Sequence, residues 1–231
     1  MSVDNTIPVK GPENPSSVRK DNKVIEPYYK DEHCTIYNMD CRKVLPWLDR
    51  FDLLLTDPPY GIGEKWAVNG AFETAGGKLW SAASEWDSKT MDLEILFALD
   101  KADKAIIWGG NYYDLKPSRG YLVWDKMQSG FSLADSELAW CSWPATPRTY
   151  RFARAQLASE GKVHPTQKPL GLMRFCIQVA GEKINTILDP FMGSGTTLVA
   201  AKLEGKQAVG IEINEAYCES AVKRLEQGVL F

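Results

Sequence analysis

Short apolar runs of strand length alternate with stretches of helical periodicity through most of the chain. The apolar runs lie at residues 51–56, 105–108, 121–124, 138–143, 186–188 and 208–211. Helical stretches lie at residues 91–101, 170–180, 196–203 and 215–227, with Asn214 as the expected N-cap of the last one. Near-continuous apolar strands suit a sheet that is covered on both faces. The alternation therefore predicts an α/β fold with a doubly wound, mostly parallel, Rossmann-like sheet and helices on both faces.

The length of 231 residues, 44% of them hydrophobic, fits one well-filled domain. Residues 1–27 are polar, carry four prolines and show no periodicity, which predicts a flexible N-terminal arm before a single domain at residues 28–231. No apolar run reaches the length of a membrane span, and the N-terminus lacks the apolar core of a signal peptide. We therefore expect a soluble cytoplasmic protein with no membrane contact.

Cysteine and histidine usage excludes several classes of site. The five cysteines are scattered and never form a CxxC pair, which argues against a disulfide framework or a zinc site and favours a reducing compartment. With only two histidines, a histidine-rich metal centre and a conventional catalytic triad lack their parts. No metal is expected.

An aspartate and two prolines directly follow the apolar run at residues 51–56. The sequence Asp57-Pro58-Pro59-Tyr60 combines a carboxylate, a stiff backbone and an aromatic ring, and Gly61 then allows the chain to turn. A planar base with an amino group can stack on Tyr60 while Asp57 and the Pro58 carbonyl accept the two amine hydrogens. Accepting both hydrogens localises the nitrogen lone pair, and Asp57 stabilises the positive charge that develops on this nitrogen. The simpler alternative is a Pro-Pro turn with an exposed tyrosine.

A second strand end carries a glycine-containing loop. Asp189 directly follows the run at residues 186–188. The loop after it contains Gly193, Ser194 and Gly195 and leads into a helix whose first amides offer hydrogen-bond donors. The loop lacks the lysine of a phosphate-binding loop. The next strand ends in Glu212, 23 residues after Asp189, an arrangement that suits the ribose hydroxyls of a nucleotide-type cofactor, a dinucleotide included.

Together the DPPY and DPFMGSGTT sequences resemble the DNA amino-methyltransferases, which methylate adenine N6 or cytosine N4. In the family, DPPY is the catalytic motif and DPFMGSGTT resembles the motif that binds the cofactor. Because DPPY comes first in this chain, the order of the two motifs is similar to that of the permuted β group of the family, found in phage and restriction-modification enzymes. The resemblance extends from Asn38 to Glu212. It implies a methyltransferase sheet that binds S-adenosylmethionine, with loop insertions that recognise DNA.

The resemblance also assigns residues. It implies that the target base meets the catalytic residues Asp57, Pro58, Pro59 and Tyr60. It implies that the cofactor meets Asp40, Asp57, Thr166, Lys168, Asp189, Phe191, Gly193, Ser194, Gly195 and Glu212. For Lys168, a surface lysine before a helix is the alternative.

Double-stranded DNA is the expected partner, although the net charge of −3 gives no general attraction to a polyanion. A buried amine must be reached by flipping the base out of the duplex, and phosphate contacts must supply affinity. The basic segment supplies the candidates Arg148, Arg151, Arg154 and Lys162, with Tyr150 and Phe152 between them. A solvated or disordered loop is the alternative reading.

Two insertions are candidates for DNA recognition, at residues 64–87 and 144–163. The first is rich in tryptophan and glycine, which suits either a base-reading loop over the active site or the local packing of a long loop. The C-terminal residues Gln227, Gly228, Val229, Leu230 and Phe231 resemble the short peptide that docks on the bacterial sliding clamp, with packing onto the domain as the alternative.

The expected activity is therefore transfer of a methyl group from S-adenosylmethionine to adenine N6 of DNA in a bacterial or phage-infected cytoplasm. Aspartate at position 57 favours adenine, because serine is commoner there in the cytosine-N4 enzymes of the family. Cytosine N4 is the nearest alternative. A regulatory module that binds DNA or the cofactor without catalysis is the alternative of another class.

Overall fold

A mixed sheet with a parallel centre forms the core of the fold. In the computed structural model, residues 18–20, 23–61, 91–128, 134–153, 156 and 167–227 are described. The strands of this sheet are β3 (Tyr29–Lys30), β4 (Cys34–Asn38), β5 (Phe51–Thr56), β6 (Ala102–Trp108), β7 (Gly120–Asp125), β8 (Ser136–Cys141), β9 (Arg148–Arg151), β10 (Thr186–Asp189) and β11 (Gln207–Glu212). Their order in space is β3-β4-β11-β10-β5-β6-β8-β7-β9.

The five central strands, β4, β11, β10, β5 and β6, all pair in parallel. Antiparallel pairing is confined to the flanks, where β3 joins β4 and β8 lies between β6 and β7. The outer strand β9 is again parallel to β7. The predicted α/β class and the mostly parallel sheet are confirmed.

Helices cover the sheet on both faces. They are α1 (Cys41–Val44), α2 (Asp92–Asp100), α3 (Leu170–Ala180), α4 (Thr196–Leu203) and α5 (Glu215–Glu226). Alternate residues of β5 enter two apolar clusters, because successive strand side chains point to opposite faces. Leu53 and Leu55 belong to the cluster that includes residues of α3, α4 and α5, whereas Leu54 belongs to the cluster that includes residues of α1 and α2. This explains the continuous apolar run of β5.

The helix after β11 begins as the sequence predicts. The Asn214 side chain accepts a hydrogen bond of 3.0 Å from the Ala216 amide and so caps α5. The last turn carries Lys223 and Arg224, whose positive charge favours the carboxyl end of the helix dipole. The start of α5 is therefore fixed directly after Glu212, at the carboxyl edge of the sheet.

An antiparallel hairpin precedes the sheet, formed by β1 (Val18–Lys20) and β2 (Lys23–Ile25). The hairpin lies inside the segment for which the sequence predicts a flexible arm. The sequence does not predict these strands, because three residues are too few to show the alternation of a strand. Residues 1–17 lie outside the described part of the chain. No helix in that described part is long and apolar enough to cross a membrane.

Candidate active site

Four acidic side chains lie at or just beyond the carboxyl ends of four neighbouring parallel strands. Asp40 follows β4, Glu212 ends β11, Asp189 ends β10 and Asp57 follows β5. Ligands of open α/β sheets bind outside this edge. Asp57 and Asp189, which are 132 positions apart in the sequence, are brought together by the direct pairing of β5 with β10.

The Asp57-Pro58-Pro59-Tyr60 segment is held by two tyrosines. Tyr60 donates its hydroxyl to Asp57 Oδ1 at 2.5 Å. Tyr113 donates its hydroxyl to the Pro59 carbonyl. Tyr112 stacks on Tyr60 with ring centroids 5.0 Å apart and planes at 15°. These contacts fix the carboxylate and the aromatic ring relative to each other.

Gly109 provides the space for Tyr60. Its φ of +65° lies in the left-handed region, and a Cβ at this position would stand 2.1 Å from Cε1 of Tyr60. The tyrosine ring therefore rests directly against the backbone just after β6. A larger residue at position 109 would move the ring.

Lys168 lies against Asp57. Its side chain is 5% exposed, and its ammonium is 2.6 Å from Asp57 Oδ2, 3.2 Å from the Tyr60 hydroxyl and 2.9 Å from Glu137 Oε2. Lys168 is therefore a buried ion-pair partner and not a surface lysine. Its neighbour Gln167 accepts a long hydrogen bond of 3.5 Å from the Ser194 hydroxyl, so this segment also borders the glycine loop.

Glu137 and Lys126 extend the charged network, and sequence reasoning missed both. Lys126 is 2.7 Å from Glu137 Oε1, so two carboxylates alternate with two ammonium groups. Burial would raise the pKa of Glu137, but the ammonium groups of Lys168 and Lys126 lower it to about 2. For Asp57, burial outweighs the opposing charge of Lys168 and raises its pKa.

The glycine loop between β10 and α4 is tied to Glu212. Gly193 and Gly195 have φ values of +51° and +79°. The Gly193 amide donates to Glu212 Oε2 at 3.1 Å, and the Asn214 amide donates to Oε1 at 2.8 Å. Gly195 approaches α5 so closely that a Cβ would stand 2.7 Å from the Ala221 Cβ, whereas a Cβ on Gly193 would meet no neighbour within 4 Å. The loop is thus packed at Gly195 and open at Gly193.

Ser194 and Phe191 belong to the same loop. Ser194 is buried, and its carbonyl accepts a hydrogen bond of 2.7 Å from Arg224. Phe191 is half-buried and packs against the cluster on the α1 and α2 side of the sheet. Both residues therefore support the loop, whichever ligand it receives.

Asp189 connects the two strand ends. It is buried and accepts hydrogen bonds of 2.8 Å from the Thr56 hydroxyl and 3.2 Å from the Phe191 amide. It directly follows Leu188, which pairs with Leu54 of β5. Burial raises its pKa to about 6 against the opposing effect of hydrogen bonds from Thr197 and Thr56. The Asp189 carboxylate therefore joins the end of β5 to the start of the glycine loop through its hydrogen bonds with Thr56 and Phe191.

Changing Asp189 to asparagine is expected to remove a pH dependence from the stability. The folded protein holds a proton on Asp189 between its ordinary pKa of 3.8 and the raised value of about 6, while the unfolded chain releases it. The contribution of this group to stability therefore falls as pH rises through this window. We expect the free energy of unfolding of the wild type, measured in urea, to fall by up to about 3 kcal/mol relative to that of the variant between about pH 4 and pH 7. Parallel curves for the two proteins would contradict the raised pKa.

Asp40 caps α1, accepting a 2.9 Å hydrogen bond from the Arg42 amide, and pairs with the Arg42 side chain. Asn38 donates to the carbonyl oxygens of Glu212 and Ile213 at 3.0 and 3.1 Å. The residues after β4 and β11 are thus joined. Asp40 thus lies beyond the end of β4, the strand that pairs with β11, and both of its carboxylate oxygens accept hydrogen bonds from Arg42.

The basic segment divides into described and undescribed parts. Arg148 and Arg151 are exposed on β9, and Arg151 is 3.4 Å from Asp125 Oδ2. Tyr150 packs against Phe175, and Phe152 against Tyr150, so these rings contact the core instead of standing free for bases. Several predicted site residues and segments lie outside the described residues: Arg154, Lys162, Thr166, residues 64–87 and residues 228–231.

Residues 123–223 match the DNA methylase family of the N6/N4 type. M2.LlaDCHI, a type II methyltransferase of Lactococcus lactis subsp. cremoris, is 24% identical over 258 aligned positions, covering 89% of this chain and 94% of the relative. The chain resembles the DNA amino-methyltransferases of restriction-modification systems. The amino-methyltransferase match includes Glu137, Lys168, Asp189 and Glu212, and Asp57 lies outside residues 123–223.

Solved structures establish the methyltransferase fold. The M1.HpyAVI–SAM complex superposes with a TM-score of 0.55 at 20% identity, covering 83% of this chain and 98% of that one. The PvuII cytosine-N4-specific DNA methyltransferase gives a TM-score of 0.57 at 14% identity, covering 89% and 90%. The predicted Rossmann-like fold, with helices on both faces of the sheet, is confirmed.

Proposed function

We propose that this protein is a DNA methyltransferase that transfers a methyl group from S-adenosylmethionine to the exocyclic amine of a flipped base, with adenine N6 as the favoured target. The observation that carries the proposal is the direct adjacency of β5, which presents Asp57 and Tyr60, to β10, which leads into the glycine loop. The amine site and the cofactor site would then share one edge of the sheet.

The glycine loop and Glu212 suit S-adenosylmethionine. The space beside Gly193 admits close approach of a ligand to the backbone. The Glu212 carboxylate accepts backbone hydrogen bonds from Gly193, Asn214 and Ile213, and its two oxygens offer about four lone-pair sites, which leaves room for a ribose hydroxyl. Asp40 would face the adenine, while Asp189 and Ser194 keep the loop in place. When bound, this cofactor supplies an electrophilic methyl group on a sulfonium.

The protein's own groups would prepare the amine. Tyr60, with Tyr112 stacked against it, supplies an aromatic surface for the base. Asp57 accepts one amine hydrogen and the Pro58 carbonyl accepts the other, which localises the lone pair on nitrogen. Asp57 would stabilise the positive charge that develops on nitrogen as the N–C bond forms and the methyl–sulfur bond of the sulfonium breaks, and the methylated amine would then release one proton. The flanking Arg148, Arg151, Arg154 and Lys162 would contact DNA phosphates.

The activity is tested by incubating the protein with S-adenosylmethionine and unmethylated bacterial DNA and identifying the modified nucleosides by mass spectrometry. N6-methyladenine is the expected product, since Asp57 starts the catalytic sequence. N4-methylcytosine would keep the mechanism and change the target. Cofactor binding without any methylated base would overturn the enzymatic proposal and favour a regulatory binding module.

Changing Glu212 to alanine is expected to weaken cofactor binding about 10- to 100-fold, because a ribose acceptor is lost and the Gly193 amide loses its partner. Isothermal titration with S-adenosylmethionine measures this effect. Glu215→Ala, an exposed carboxylate in the first turn of α5, is the matched control and should bind as the wild type does. Equal weakening in both variants would show that general charge, and not Glu212, holds the ribose.

A further inference from the structure

Asp57 and Lys168 present an acceptor and a donor side by side. Asp57 Oδ2 and the Lys168 ammonium are 2.6 Å apart, and the lysine side chain is almost fully buried. A carboxylate only accepts hydrogen bonds, and an ammonium only donates them. A ligand that meets both groups must therefore offer a donor next to an acceptor.

The Tyr60 hydroxyl already meets this requirement. It donates to Asp57 Oδ1 at 2.5 Å and accepts from the Lys168 ammonium at 3.2 Å. One hydroxyl thus fills the place of a donor and of an acceptor. The contact with Lys168 is the longest that this ammonium makes to a side-chain oxygen of the network, so it is the one most readily exchanged.

Glu137 keeps the ammonium in the site. Its Oε2 lies 2.9 Å from the Lys168 nitrogen, and its Oε1 is held by Lys126 at 2.7 Å. The charge of Glu137 therefore neutralises the Lys168 ammonium while one of its N–H groups turns toward a new acceptor.

The flipped base of the proposed function offers the matching edge. On the Watson–Crick edge of adenine and of cytosine, the amino group stands next to a ring nitrogen that accepts hydrogen bonds, and enzymes that flip bases read this edge. At the corresponding positions guanine and thymine carry a carbonyl oxygen beside an N–H. Their edge would set an oxygen against Asp57 and a donor against Lys168.

We propose that Lys168 is a specificity-determining residue that donates a hydrogen bond to the ring nitrogen beside the target amine, while Asp57 accepts from that amine. Glu137 acts as a positioning residue for Lys168. This inference rests on the proposed function and deepens it, because it defines the substrate as a base with an amine next to an acceptor nitrogen. Bases with a carbonyl at that position leave the buried pair unsatisfied and are rejected.

The test uses the wild-type protein and modified DNA. The recognition sequence is first located by sequencing DNA that the protein has methylated, and duplexes are then made with 1-deazaadenine at the target, which replaces the ring nitrogen N1 by CH. We expect kcat/KM to fall about 10- to 100-fold, as for loss of a hydrogen bond to a charged group. A duplex with 7-deazaadenine, which keeps N1, is the control. A cytosine target calls for 3-deazacytosine.

A variant assigns the loss to Lys168. Removing the ammonium alone leaves Asp57 without a charged partner and Glu137 with Lys126 alone, so Lys168→Met is combined with Glu137→Gln. This double variant should methylate the normal and the 1-deaza duplex at equal, reduced rates, a result that a merely structural role would not produce. Thermal unfolding and S-adenosylmethionine binding confirm that it is folded.

The outcomes separate the two proposals. Absence of any DNA methylation by the wild type refutes the proposed function itself. Methylation of the 1-deaza duplex at the normal rate overturns the role of Lys168 and leaves the proposed function intact. If the double variant shows the same fall in kcat/KM on the 1-deaza duplex as the wild type, the role of Lys168 is also overturned, because another group would then contact the ring nitrogen.

Discussion

Changing Asp57 to alanine is expected to reduce the rate of methyl transfer about 1,000-fold, at the upper end of what removal of one preorganised electrostatic group costs. The loss falls on the chemical step, because Asp57 is proposed to stabilise charge that appears only in the transition state. Lys168 keeps Glu137 as a partner in this variant, so the charged network is not left with an unpaired ammonium. Single-turnover transfer of a labelled methyl group to DNA measures the rate.

Two further variants make the Asp57 result specific. Asp57→Asn keeps an acceptor oxygen without the charge and should lie between wild type and alanine. Asp49→Ala removes an exposed carboxylate shortly before the same strand and should retain the wild-type rate. If Asp57→Ala weakened cofactor binding as strongly as it slowed transfer, the assignment of Asp57 to the amine would have to be abandoned.

Changing Gly109 to alanine is expected to lower activity about 100-fold, the cost of displacing a reacting group by about 1 Å. The new Cβ would stand 2.1 Å from Cε1 of Tyr60, so the ring that donates its hydroxyl to Asp57 must move. The matched control is Gly205→Ala. Gly205 has the same φ of +65°, but a Cβ there would meet no neighbour within 4 Å.

The pair of glycine variants separates backbone strain from displacement of Tyr60. Both alanines are forced into the left-handed region. This strain should lower the free energy of unfolding of each variant, measured in urea, by about 1 to 2 kcal/mol. Only Gly109→Ala should also lose methyl transfer. Full activity in Gly109→Ala would mean that the position of the Tyr60 ring does not limit catalysis.

The sequence predicts elements best where periodicity and packing agree. The bounds of β5, α3 and α4 coincide with the predicted residues 51–56, 170–180 and 196–203, because each is an apolar run with a clear end. The strands β1, β2, β3, β4 and β9 escaped prediction, since two to five residues carry too little pattern. These strands form because they pair with other strands, and local sequence periodicity does not identify those partners.

The candidate site follows the same division. Asp57, Tyr60, the glycine loop and Glu212 stand in recognisable sequences, and the sheet brings them to one edge. Glu137 stands in β8 with no local signal, and its role depends on contacts with Lys126 and Lys168 across the fold. Lys168 was expected at the cofactor, yet its ammonium lies on Asp57, 111 residues away in the chain. Contacts of this kind depend on the fold and have no spacing rule.

The order of strands in the sheet also governs when the protein can assemble. Strands β4 and β5 leave the ribosome early, but in the finished sheet β11 and β10 lie between them. Until residues 186–212 are synthesised, the apolar edges of Cys34–Asn38 and Phe51–Thr56 lack those parallel partners. Unpaired apolar edges are where nascent chains associate wrongly. The arrangement that places both halves of the site on one edge thus delays completion of the site until residues 186–212 have been made.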